Sequence, residues 1–151
     1  MKFLGRTLID LERRKPIVLA ELHPLLRLRV EEVIERCGHR LAPYCGHRGI
    51  DEQRDAFESG ASLARPGESP HNHTPALACD LVLDPRRVDV RPHPQDDRYP
   101  DLWDDETADA LAAWEALDQW SRAVNLERVT IRGKLDRPHV QMPNWRSLIP
   151  Q

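Results

Sequence analysis

The chain has 151 residues, 40% of them hydrophobic and 31% charged, which is enough apolar material for one packed core and argues against wholesale disorder. With 22 basic against 25 acidic residues the formal charge is −3, so binding to nucleic acid through phosphate neutralisation is disfavoured, and no nucleic-acid partner is expected. No apolar run approaches the roughly 20 residues of a membrane helix, so membrane insertion is not expected either. Three cysteines cannot complete a disulfide framework and fit a reduced site of synthesis.

Residues 7–14 and 22–36 read as helices. The second carries Leu22, Leu25, Leu26, Val30, Val33 and Ile34 at helical spacing, with Arg27, Glu31, Glu32 and Glu35 opposite, and Gly38 stops it. A short strand is expected at Leu41–Tyr44, and a helix over Glu52–Ser59 capped by Asp51 and closed by Gly60. Between Pro66 and Pro100 lie more than half of the 13 prolines, which predicts loops framing a single strand. That strand, Leu77–Leu83, is a nearly continuous apolar run of the kind buried on both faces. An acidic, Pro-rich segment follows from Asp84 to Asp105, and the run Asp96-Asp97, Asp101, Asp104-Asp105-Glu106 reads as a solvated loop with a helix-start bias. A helix over 105–124 and short strands at Val129–Ile131 and Val140–Met142 complete the chain. This order predicts one α+β domain over 1–151, with helices in 1–36, a core over about 37–145, and a small antiparallel sheet flanked by helices.

Asp80 interrupts the most apolar strand, and a lone buried carboxylate costs several kcal/mol unless it is paired or bound to a metal. Upstream, His71 and His73 stand in a loop at the strand's entrance. Downstream, Asp136-Arg137-Pro138-His139 sets a carboxylate three residues before another histidine. One of the loop histidines, Asp80 and His139 make a three-ligand zinc site with one position open for water, and Asp136 is then the general base. A competing site, Cys37-Gly38-His39-Arg40 with Cys45-Gly46-His47-Arg48, lacks the usual ligand spacing within each pair. His23 and His93 read as surface loop residues and Cys79 as a buried inert thiol. Trp114 and Trp120 read as helix packing, while Trp103 and Trp145 are left between lining a groove and covering the sheet.

The pieces Gly46-x-Arg48 with Gln53, Ser69-x-His71-Asn72 through Pro75-Ala76-x-Ala78-x-Asp80, and Asp136-x-Pro138-His139-x-Gln141 resemble, in order, a group of zinc peptidases. These are the D-alanyl-D-alanine carboxypeptidases and phage L-alanyl-D-glutamate endopeptidases of the Hedgehog/DD-peptidase fold, and the resemblance spans roughly residues 22–142. It implies Zn2+ ligands His71, Asp80 and His139, Asp136 as catalytic acid and base, and Arg48 steadying the substrate carbonyl and oxyanion. Ser69 and Gln53 match positions that orient the site.

The offset to Asp80 is nine residues from His71 and seven from His73. That keeps His73 as an alternative ligand, with His71 preferred because its motif is similar to a longer-loop variant of phage-type members. Where phage members often carry Gly-Gly-Asp-Trp, this chain has Thr130–Leu135.

The implied activity is zinc-dependent hydrolysis of peptidoglycan stem peptides by a monomeric, phage-type endolysin. A D-alanyl-D-alanine carboxypeptidase and a non-catalytic zinc-containing peptide-binding domain are the alternatives. Without a recognisable signal peptide, the expectation is synthesis in the cytoplasm and action on the cell wall after release by another factor.

Overall fold

The structure, a computed structural model, describes residues 8–149. Two helices open it, α1 (Leu8–Glu21) and α2 (Pro24–Arg36), followed by strand β1 (Leu41–Cys45), helix α3 (Ile50–Glu58) and a 3-10 turn at Pro70–Asn72. Strand β2 (Ala78–Leu83) leads to a hairpin of β3 (Pro92–His93) and β4 (Asp96–Pro100). Helix α4 (Ala108–Ala123), a second hairpin of β5 (Thr130–Ile131) and β6 (Lys134–Leu135), strand β7 (His139–Gln141) and a 3-10 turn at Trp145–Leu148 finish it. The mixed α+β class with small antiparallel sheets is as expected.

The first helix runs further than its sequence suggests, straight through Pro16. Proline removes a backbone donor and costs a helix interior about 3 kcal/mol. Burial of Leu11, Val18 and Leu19 along the same helix offsets that loss. Helix α2 starts with Pro24 in its first turn and His23 as its cap, the ring Nδ1 accepting from the Leu25 amide at 3.2 Å. Helix α3 is capped by Gly49 rather than Asp51, because Glu52 reaches back to the Gly49 amide and Asp51 falls in the first turn. Thr107 Oγ1 caps α4 by accepting from the Ala110 amide at 3.1 Å.

The central sheet has the order β1-β2-β7, all antiparallel. Its two faces are chemically unlike. One carries Leu41, Cys79, Leu81, Leu83 and Val140 into a core with Val30 and Val33 of α2 and Ala113 and Leu117 of α4. The other packs Ala42, Tyr44 and Val82 against Leu11 of α1 and Leu102, and farther along it becomes polar. Asp80 lies on this second face because side chains alternate along β2 and Val82 is two residues on.

Between Pro43 and Cys45 the β1–β2 register slips: Pro43 opposes Leu81 and Cys45 opposes Asp80. The extra residue, Tyr44, makes a β-bulge that turns both Tyr44 and Cys45 toward the second face.

The acidic run is more ordered than a solvated loop, since Asp101 and Asp105 are buried. Arg91 compensates Asp105 at 2.7 Å, as Arg86 does the buried Asp84 at 2.7 Å, while burial raises the Asp101 carboxyl. Trp114 Nε1 also donates to the Asp105 carbonyl, at 3.1 Å. His93 is buried rather than exposed, its ring accepting from the Gln95 amide. Trp145 joins the core and Trp120 packs against it.

Candidate metal centre

Three donor atoms converge on the polar face of the sheet. His71 Nε2 is 3.4 Å from Asp80 Oδ1, His139 Nδ1 is 3.4 Å from the same oxygen, and the two ring nitrogens are 3.3 Å apart. Two of the residues arrive by register, since Asp80 of β2 pairs directly with His139 of β7. His71 is brought over them by the 3-10 turn at Pro70–Asn72, where Ser69 Oγ accepts from the His71 amide at 3.2 Å.

Hydrogen bonds on the far side of each ring decide which nitrogen faces inward. His71 Nδ1 donates to the Gly46 carbonyl at 2.7 Å. His139 Nε2 donates to Gln141 Oε1 at 2.7 Å, and Gln141 Nε2 donates in turn to Glu127 Oε1 at 2.6 Å. A carboxylate only accepts, so Gln141 presents its oxygen to His139 and the ring proton sits on Nε2. The inward nitrogens, His71 Nε2 and His139 Nδ1, therefore direct lone pairs toward the same point as Asp80 Oδ1.

Three lone pairs in such proximity favour a cation. In the protein alone, burial works against a charged His71, but the charge and hydrogen bond of Asp80 raise it from 6.5 to about 10. Asp80, where burial again opposes charge, is held well below the ordinary carboxylate range by His71 and His139. The spacing also fits a metal ion. Ligand atoms about 2.0–2.1 Å from a tetrahedral zinc lie about 3.3–3.4 Å from one another. Two imidazoles, a carboxylate and histidine tautomers fixed from behind are a zinc-type donor set.

Arg48 closes one side. It is 9% exposed, its Nη1 donates to Gln53 Oε1 at 2.9 Å and its Nη2 is 3.5 Å from Asp80 Oδ2. Gln53 is fully buried and uses its amide nitrogen on Ser62 Oγ and the Ala64 carbonyl, fixing the 62–64 loop to α3. Asn72 Nδ2 donates to the Arg48 carbonyl at 3.0 Å, and the Arg48 amide donates to the His71 carbonyl at 2.8 Å.

Gly46 is tightly packed at its position. An added Cβ would lie 3.0 Å from Leu22 Cδ2 and 3.2 Å from the Val18 carbonyl of α1. The backbone there presses on α1 while its carbonyl serves His71.

Asp136 lines a cleft of about 390 Å³ together with His71, Asp80, His139 and Arg48. Burial and then the charge of Asp80 push its carboxyl above the ordinary range. The segment bearing it is held by Arg128, whose guanidinium donates to the carbonyls of Arg137 at 2.8 Å and His139 at 3.2 Å. The rest of the lining mixes apolar Ala61, Leu63, Ala64, Val129 and Ile131 with polar Ser62, Asp104 and Thr130. A neighbouring hollow of about 440 Å³ shares Arg48, Asp80 and Trp103, and Trp103 sits edge-on to Tyr44 at 4.9 Å.

Of the residues singled out from sequence, His71, Asp80, His139, Arg48 and Asp136 meet at this cleft, with Ser69 and Gln53 behind it. His73 lies elsewhere, its ring packed against Trp145 at 5.5 Å. Cys37 is in the helix-backed core, so the Cys-His tetrapeptides form no common site. Cys45 instead joins the centre, its Sγ lying within 4.8 Å of donor atoms of His71 and Asp80.

Sequence reading gave no role to Gln141 or Glu127, and offered Cys45 only as a ligand of the competing Cys-His site. The available signal for Gln141 was its period-two spacing from His139 on a strand. Nothing local announces Glu127, which reaches Gln141 through an isolated antiparallel bridge.

No protein-family model matches the sequence, and no curated protein matches it. Among solved structures the fold is similar to that of the Serratia marcescens L-Ala D-Glu endopeptidase ChiX. The TM-score is 0.53 and the identity 19%, over 91% of each chain. The α+β fold of this chain is thus one that an endopeptidase also uses.

Proposed function

We propose that the protein is a metal-dependent peptidase that hydrolyses peptide bonds in peptidoglycan stem peptides, of the L-alanyl-D-glutamate endopeptidase type. The observation that carries this reading is the triangle of His71 Nε2, Asp80 Oδ1 and His139 Nδ1, with edges of 3.3–3.4 Å at the floor of an open cleft. The substrate class rests on the likeness to the Serratia endopeptidase and on the order of motifs along the chain.

His71, Asp80 and His139 would hold the ion. A zinc ion there supplies Lewis acidity, acidifying a water and polarising the scissile carbonyl. Asp136 accepts the proton of the attacking water and returns it to the leaving amine, a task suited to a carboxyl that burial and the charge of Asp80 raise above its ordinary range. Arg48, held rigidly by Gln53, directs a fixed positive charge at the oxygen on which negative charge develops. The 61–64 and 129–131 segments line the cleft in which the substrate backbone would lie.

The test is digestion of peptidoglycan and of Ala-D-Glu and D-Ala-D-Ala peptides by the purified protein, with and without chelator. Chelator-sensitive cleavage at Ala-D-Glu is expected. Cleavage only at D-Ala-D-Ala would make it a carboxypeptidase, and no cleavage under any metal loading would leave a peptide-binding domain. His139→Ala should lose about one equivalent of zinc, whereas Asp136→Ala should retain the metal and lose turnover. Equal zinc loss in both would mean that ligand and base are exchanged.

A further inference from the structure

Cys45, Asp80 and His139 form a single row across the sheet: Cys45 of β1 opposes Asp80 of β2, which opposes His139 of β7. Directly opposed residues of an antiparallel pair share a face with Cβ atoms about 5 Å apart. The row therefore places a sulfur donor beside Asp80, with His139 on that residue's other side, and the bulge at Tyr44 is what brings Cys45 rather than Tyr44 opposite Asp80.

The other two cysteines are buried in the helix-backed core, at 1% and 0% exposure, as inert packing thiols are. Cys45 differs. It is half-buried and lines the hollow beside the metal centre, and its own backbone contacts are weak, with Sγ 4.0 Å from the carbonyls of Gly46 and His47.

We propose that Cys45 is a fourth, displaceable protein ligand that closes the metal centre in a resting form. The inference rests on the three-ligand reading above and goes beyond it. Its Sγ lies within 4.8 Å of donor atoms of both His71 and Asp80. Sulfur and nitrogen ligands of one tetrahedral zinc are about 3.5 Å apart. Rotation about the single torsion χ1 moves a cysteine sulfur by roughly 3 Å between staggered positions, enough to close the difference.

Coordination forms one metal–sulfur bond and releases the S–H proton to solvent. Four protein ligands make a closed site and three leave a position for water. Cys45 thus competes with the attacking water for one position, and substrate entering beside Trp103 and Arg48 displaces it.

Titration of the full-length chain with Co2+ tests this. Tetrahedral cobalt gives visible d–d bands with any ligand set, and a near-ultraviolet sulfur-to-cobalt charge-transfer band only with a thiolate bound. Both are expected, with the charge-transfer band lost and the d–d bands kept in Cys45→Ser. Absence of the charge-transfer band in the unaltered chain, or its persistence in Cys45→Ser, overturns the proposal and leaves the three-ligand centre intact. Absence of d–d bands overturns the three-ligand reading itself. In the unaltered chain, one equivalent of Zn2+ should abolish iodoacetamide labelling of Cys45, read by mass spectrometry of the digest. An unchanged labelling rate also overturns the proposal.

Discussion

The 2.7 Å bond from His139 Nε2–H to Gln141 Oε1 decides which nitrogen of His139 faces Asp80. The two residues are two apart on β7, so they share a face, and Glu127 fixes the amide orientation from the other side at 2.6 Å. A three-member relay from Glu127 through Gln141 thus presents Nδ1 as a lone pair.

Gln141→Leu should keep the fold and weaken zinc binding by about 10- to 100-fold, because the ring loses the partner that fixes its tautomer. Chelator competition measures it. Unchanged affinity would show that the pairing of β7 with β2 orients His139 unaided.

His71→Ala and His73→Ala should differ. The first removes a corner of the triangle and with it about one equivalent of metal. The second removes a ring packed on Trp145 and should leave metal content unchanged. Elemental analysis of both proteins decides the case, and metal loss in His73→Ala alone would reassign the ligand.

The metal-free protein should lose stability as pH rises from 6.5 to about 10. Burial disfavours protonated His71, yet Asp80 raises its folded value to about 10, above the unfolded 6.5. Its contribution is therefore complete below 6.5 and disappears through the folded value. Near pH 8, zinc should displace about one proton from His71, seen as dependence of the binding heat on buffer ionisation. His71→Gln should abolish the stability trend, and a flat melting temperature across this range in the unaltered protein contradicts the His71–Asp80 pairing.

Leu81→Ala should cost about 2–5 kcal/mol, as for other fully buried leucines. Leu81 neighbours Asp80 in sequence but lies on the helix-backed face. Its loss should lower the denaturation midpoint and leave zinc affinity per folded molecule unchanged. A parallel drop in affinity would show that the two faces are coupled.

Much of the fold was legible because it is written in short-range patterns. The apolar stripe of α2 and the continuous run of β2 specify a helix and a buried strand whatever surrounds them. The reach of α1 beyond residue 14 and the burial within the acidic run were not legible because their costs are local and their compensations distant. Val18 and Leu19 are secured by the core, and Arg91 approaches Asp105 from across the segment.

By itself the sequence determined that Asp80, set in an apolar strand, needed a partner, and named the histidines able to serve. The tertiary structure puts His71, already preferred on its motif, in the triangle and His73 against Trp145, and it alone brought Cys45 to the same row. Alternation along a strand fixes which residues share a face, but the strand pairings and the Tyr44 bulge fix which of them meet. The hydrogen bonds that the His71 and His139 rings donate to Gly46 and Gln141, which set the tautomers, depend on those pairings in turn.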